Sequence, residues 1–415
     1  MARATGREQQ VDAFLEASVR GWTGRAARLL AAEPDLARHD LATAAVVGDD
    51  AAVAAALARD PAAAHRPDIR RGWPPLVYAG RSVWHHAEVD RALGLLDVIR
   101  RLLAAGADPD AGAVVHHAAG HRQRECLRLL LEAGATLTGT GALAAAVRAD
   151  DTRAVHLLLD AGADPGLRPE DDDAHAAAPV GELADGTPRP LPFAVAVGAG
   201  LPVVEALLEA GADPDAPGPD GRSPLRLAVR RGRSEIVRAL HQHTAHDDAT
   251  EIDRFIGACT HADRAAVGHA LERHPDLRDE LSDEDRGAIV DAAEHVGSHA
   301  VEVMLEFGFR LDARRPDGAT PLHAAAYAGR VSLVRRLAER GADLDARDGR
   351  HGHTPLTWAI AGSQDRPAHN PDGNWLATVQ TLLDAGASIE GIEVPPEPED
   401  VARLLATQGV GHRTP

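Results

Sequence analysis

Between Gly329 and Gly341, the residues Val331, Leu333, Val334 and Leu337 fall at the three-and-four spacing that lays one apolar stripe along a helix. Just upstream, Thr320 is suited to cap a helix start. Pro321 suits the first helical position, where its missing N–H leaves no bond unmade. Gly329 and Gly341 sit where the two helices must stop, each able to take the left-handed conformation that closes a helix. The pattern predicts two short helices joined by a tight turn.

This frame slides back along the chain without gaps. An offset of 207 lays Ala113-Val114-Val115-His116 over Thr320-Pro321-Leu322-His323 and Gly134 over Gly341. An offset of 179 does the same for Gly141-Ala142-Leu143-Ala144 and Gly162, and one of 97 lays Ser223-Pro224-Leu225-Arg226 over Thr320-Pro321-Leu322-His323 with Gly232 over Gly329. Pro74-Pro75-Leu76 and the region of Pro192-Phe193 are degenerate copies, closing at Gly106-Ala107-Asp108 and Gly211-Ala212-Asp213. Forward, Thr354-Pro355-Leu356 follows after 34 residues and closes at Gly386-Ala387-Ser388.

A period of 33 to 34 containing Thr-Pro-Leu-His and Gly-Ala-Asp resembles the ankyrin repeat, a turn plus two antiparallel helices. The resemblance implies an all-α solenoid of about eleven such units, since one unit has no partner of its own for its apolar face. It also implies a protein-interaction module without catalysis, and a structural role for His323 and His116 as hydrogen-bonding hubs between turns.

A second duplication, at an offset of 241, matches Val11-Asp12-Ala13-Phe14-Leu15 with Ile252-Asp253-Arg254-Phe255-Ile256, and Pro34-Asp35-Leu36 with Pro275-Asp276-Leu277. We read the first copy as an N-terminal cap and the second as the start of a new block. The expected organisation is a first block over 1–246 and a second over 247–410, the latter ending in a short helix around Val401 to Leu405. Three segments break the period: Trp84 to Asp90, an acidic Pro-rich stretch from Pro165 to Pro190, and Gln364 to Asn374. Insertions in repeat proteins map to loops, often on the binding face.

Composition narrows the chemistry. Aromatics are only 3% against 44% hydrophobic residues, so the core must be Ala, Leu and Val in thin, closely packed helices. Every one of the 44 basic residues is arginine, a bias that resembles coding in a GC-rich bacterial genome. The lack of lysine excludes a Walker A loop, a Schiff base and a Ser-Lys dyad. A net charge of −19 argues against nucleic acid and anionic membranes. No apolar run reaches a membrane span and no secretory signal is visible, so a cytoplasmic protein is expected, with Cys126 and Cys259 as buried structural thiols.

Catalytic and metal motifs are thin, and no cofactor is expected. His117/His121, His295/His299 and His86/Asp90 share the i, i+4 spacing of metal ligands, but each supplies two ligands only. The Glu170 to Asp173 cluster lacks EF-hand spacing. The ankyrin resemblance places the last residues of each first helix on the concave face. On this frame those include Arg81, His121, Arg148, Arg230, Arg231 and Tyr327, with Trp73 as an aromatic anchor at a turn tip. Arginines recurring there in an acidic chain imply a partner bearing carboxylates or phosphates. The expected function is a stand-alone adaptor or regulator with an acidic protein partner in its groove. The alternative is a small-molecule enzyme, a hydrolase, isomerase or cyclase, using His85, His86, His117, His121, Asp365 and His369 as acid–base groups.

Overall fold

Local chemistry sets the ends of each helix pair. Helix Pro321–Tyr327 starts at Thr320, whose hydroxyl caps the His323 amide while His323 Nδ1 accepts from the Thr320 amide at 3.2 Å. Gly329 turns at φ +68°, and Gly341 closes helix Val331–Glu339 at φ +83°. A computed structural model describes residues 2–138, 140–166, 189–218, 220–244, 246–365, 372–392 and 398–410, the side chains of 2–5 and 365 excepted. Among the described residues there is no strand, and the fold is all-α.

The helices fall where the repeat frame predicts them. Val114–Gly120 pairs with Arg124–Glu132, Ala142–Arg148 with Thr152–Asp160, and Pro224–Arg230 with Ser234–His243. The degenerate copies form Pro75–Gly80 with Val89–Ala104 and Pro190–Val197 with Leu201–Glu209. The atypical pairs are also present, as Ala2–Val19 with Thr23–Ala32 and Glu251–Thr260 with Arg264–Arg273. Their Pro-Asp-Leu stops are not bare loops. They wind into short helical turns, Pro34–Arg38 and Leu277–Glu280, that bury Leu36 and Leu277.

Contacts divide the chain into two compact units, Met1–Gly221 and Arg222–Pro415. The pair ending at His243 and the pair beginning at Glu251 both lie in the second unit. In the first, Ala, Leu and Val from successive helices make the core, with Phe14, Tyr78 and Trp84 as its large rings. In the second, a continuous core runs from Phe255 to Val410, and helix Glu399–Thr407 covers its end with Val401 and Leu405. Small residues let the first helices approach closely. A Cβ on Gly257 would overlap the carbonyl oxygen of Val229 in the preceding repeat.

One period-breaking segment is more structured than a loop. Trp84 is 1% exposed within a 3₁₀ turn, Val83–His85, so the insertion there is pinned into the core and the next helix starts at Val89. Residues Ala292–Val296 form a π-helical turn ending at Gly297, φ +125°, which puts His295 and His299 on different helices and removes their shared face. Helix Trp375–Asp384 restarts after Asn374 as expected. His369, the side chain of Asp365, the Glu170 to Asp173 cluster and most of the 165–190 insertion lie outside the described residues.

Candidate binding surface

The first helices of the first unit, Leu41–Val47, Pro75–Gly80, Val114–Gly120, Ala142–Arg148 and Pro190–Val197, pack side by side in chain order. Their C-terminal ends are stitched together. Ser82 Oγ donates to the Val46 carbonyl at 2.6 Å, the Arg122 Nε to the Ala149 carbonyl at 3.0 Å, and the Gly200 amide to the Asp150 carboxylate at 2.8 Å. Arg81, His121 and Arg148 therefore stand along one edge, each at or just past the end of its helix.

Trp73 is fixed beside this edge by an aspartate that nucleates its loop. Asp68 Oδ1 accepts the amides of Arg71 at 3.0 Å and Trp73 at 3.3 Å, and Oδ2 accepts the Tyr78 hydroxyl at 2.8 Å. Burial alone would raise the Asp68 carboxyl; these donors hold it below the usual carboxylate range. The Trp73 ring leans on Tyr78 at 5.5 Å and carries the Arg81 guanidinium over it, also at 5.5 Å. Arg148 is exposed and lies 5.4 Å over Phe193. Among the described residues no carboxylate pairs with Arg148. Its charge is offered to solvent on an aromatic support, a cation–π arrangement that holds the guanidinium without neutralising it.

The second-unit arginines are used differently. Arg230 is 8% exposed and its guanidinium lies 2.9 Å from both Asp253 and Asp285, contrary to the solvated position its repeat register predicts. Arg226 joins Asp253 at 2.8 Å. Burial works to raise Asp253, but hydrogen bonds from Arg226, Thr250 and Arg230 outweigh it and hold the carboxyl at about 2. Arg231 faces Asp291 at 3.5 Å, and Asp291 also meets Arg315, which is held by Glu294 and Asp317 as well. Tyr327 stands edge-on to Trp358, and its carbonyl accepts from Trp375 Nε1 at 2.9 Å. An Asp68-like anchor recurs here, with Asp348 taking the His351 amide at 2.7 Å and Trp358 Nε1 at 2.8 Å.

Of the acid–base candidates, His85, His86, His117 and His121 come together on the first-unit edge. His85 Nε2 meets the Ala79 carbonyl at 2.9 Å, and His86 Nε2 the His121 carbonyl at 2.9 Å. His121 Nδ1 meets the His117 carbonyl at 2.9 Å, and the two rings stack at 3.8 Å. Burial pushes His85 down to about 4 and His117 well below its ordinary value, so both are neutral near pH 7. His86 lies outside helix Val89–Ala104, so it shares no helix face with Asp90. Among the described residues no group of three or more His, Cys, Asp or Glu is placed to hold a metal ion. Cys126 and Cys259 are buried, and burial pushes both thiols up to about 12. His323 is the hub its motif implies, bonding Thr320 Oγ1 at 2.8 Å and the His353 carbonyl at 3.0 Å. No described helix is long and apolar enough to cross a membrane.

Sequence reasoning missed the supports: Asp68 and Tyr78 under Trp73, Phe193 under Arg148, and the aspartates that absorb Arg230. The Thr250 to Asp253 and Ser282 to Asp285 capping boxes carried a local signal. The Phe193 and Arg230 pairings cross repeats, whereas the Asp68 and Tyr78 support is built within one.

Comparison with known proteins agrees with this architecture. A family model described as ankyrin repeats in three copies matches residues 84–168 and 289–390, and one described as ankyrin repeats in many copies matches 193–241, together more than half of the chain. The chain is 31% identical to ankyrin repeat protein nuc-2 of Neurospora crassa over 45% of its own length and 17% of that protein's. It is 31% identical to NF-kappa-B inhibitor cactus of Drosophila melanogaster over 38% of itself and 25% of cactus. It is 29% identical to the B-cell lymphoma 3 protein homolog of Mus musculus over 40% of itself and 39% of that relative. The chain thus spans well under half of each of these relatives.

Proposed function

Since the chain belongs to the ankyrin-repeat family, we propose that it is a non-catalytic adaptor or regulator whose first-unit edge binds an acidic segment of a protein partner. Ankyrin repeats typically mediate protein–protein interaction, and one relative, cactus, is by name an inhibitor of NF-kappa-B. The observation that carries the acidic-partner reading is the exposed Arg148 on its Phe193 support, in line with Arg81 on Trp73. Arg148 presents its guanidinium to a carboxylate or phosphate while the aromatic face limits its freedom. Arg230 and Arg231 are committed to their own acids, so the reading rests on Arg148, with Trp73, Arg81 and His121 beside it on the same edge. The histidines beside them spend ring nitrogens on main-chain carbonyls, which favours a structural over a catalytic use.

The test is capture from native extract by the intact chain and by Arg148→Glu, quantified protein by protein. An acidic partner is expected to be lost several-fold with Arg148→Glu, chiefly through a slower on-rate, and to weaken as salt screens beyond ~8 Å. A partner retained equally by both chains and at high salt would refute the reading.

A further inference from the structure

The insertion that breaks the period at Trp84 does more than lengthen a turn. Trp84 drives it into the core, and the two residues after Trp84 are histidines that reach in different directions. His85 ties the turn back to the end of its own first helix, at the Ala79 carbonyl. His86 ties it forward to the end of the next first helix, at the His121 carbonyl, and His121 in turn stacks on His117. Four imidazoles thus link the ends of helices Pro75–Gly80 and Val114–Gly120, the stretch that carries Arg81 and His121.

From this geometry we infer that the histidine cluster is an acid-sensitive latch on the first-unit edge, closed while the rings are neutral and opened when protons crowd it. The inference rests on the adaptor reading for its purpose: opening would release whatever the edge holds. The charges that weigh most on His117 are actual or potential cations. Arg81 comes from the preceding helix end, His85 from the turn, and His116 and His121 from its own segment. His86 adds its charge to His85. Carboxylates on the packed elements are engaged elsewhere: Glu88 with Arg91, Glu125 with Arg128, Asp151 with Arg124, and Asp150 with the Gly200 amide. Asp90 is exposed in the first turn of its helix. Helix C-termini favour cations, and the Ala79 carbonyl does pull His85 upward, but burial outweighs it.

The sign follows from linkage. A histidine held near 4 when folded and near 6.5 when the segment opens keeps its full contribution above about 6.5. It loses that contribution as pH falls toward 4. Local opening of the latch is thereby favoured on the order of 10²-fold at the acid end of this window.

Hydrogen exchange of the intact free chain between pH 7 and pH 4, corrected for intrinsic rates, reads this directly. Amides over 75–90 and 114–122 are expected to lose protection on that order. The same segments should stay closed in a His85→Gln/His117→Gln variant, in which an amide replaces the titrating ring. Unchanged protection in the wild type, or equal opening in the variant, overturns the latch. If the variant does not fold, histidine titration in the wild type decides: ordinary values for His85 and His117 sink the idea, depressed ones sustain it. Because no partner is present, failure here leaves the Arg148 reading standing, and loss of the Arg148 effect leaves the latch standing.

Discussion

At the residue scale, an arginine's repeat register does not say what its charge is for. Arg148 and Arg230 each end a first helix, yet one is exposed over a phenyl ring and the other is shut between two aspartates. Removing Arg230 takes away the cation shared by Asp253 and Asp285 and leaves Asp253 with Arg226 alone, in a site where Asp253 is fully buried. Arg230→Ala is expected to destabilise by about 1–3 kcal/mol, the cost of leaving buried acceptors without one of their charged donors. Arg148→Ala, with no buried acid to strand, is expected to stay within about 0.5 kcal/mol of wild type. Urea midpoints for the two variants separate these cases. Equal shifts would contradict the assigned roles.

At the scale of the element, the two kinds of glycine in this fold fail for different reasons. Gly341 closes a helix at φ +83° with open space around its α-carbon, so Ala there meets only backbone strain, roughly 1–2 kcal/mol. Gly257 sits mid-helix, where Ala would otherwise be the better residue, but a Cβ there would overlap the Val229 carbonyl oxygen of the preceding repeat. Gly257→Ala must push two first helices apart and is expected to cost about 1–3 kcal/mol, despite Ala's higher helix propensity. Thermal denaturation followed by circular dichroism tests both. A stabilised Gly257→Ala would show that the helices have room to spare. The capping and stop signals were legible from sequence because a helix end is a local event, decided within four or five residues.

For the molecule as a whole, the two units carry different titrating groups. The first-unit edge depends on His85 and His117 being neutral, whereas the second unit buries ionised Asp253 and holds Asp285 below its usual range. A carboxylate held at about 2 contributes fully above about 3.8 and loses that contribution only as pH falls through about 2. Acid titration is therefore expected to reach 75–122 first, between about pH 6.5 and 4, and the network around Asp253 only below about 4. Exchange followed by mass spectrometry gives the order. Loss beginning around Asp253 would contradict it. Coupling in a stacked array passes between neighbours, so distant repeats are expected to respond separately.

What the sequence by itself determined here is everything carried by short-range chemistry and by repetition. Thr320, Pro321, Gly329 and Gly341 mark helix ends, the apolar spacing marks the buried faces, and the 33 to 34 residue period makes the same answer recur along the chain. Surfaces were legible only as positions. That Arg81, His121 and Arg148 end first helices could be read, but not that Phe193 supports Arg148 or that Asp253, 23 residues on from Arg230, neutralises it. Nor could the sequence show that Trp84 turns a period-breaking insertion into part of the core and gathers four histidines at one edge. Those outcomes depend on which side chains meet across stacked repeats and how much water remains between them. Burial decides whether an arginine is a binding group or a strut, and whether a histidine is charged, and burial is a property of the assembled stack.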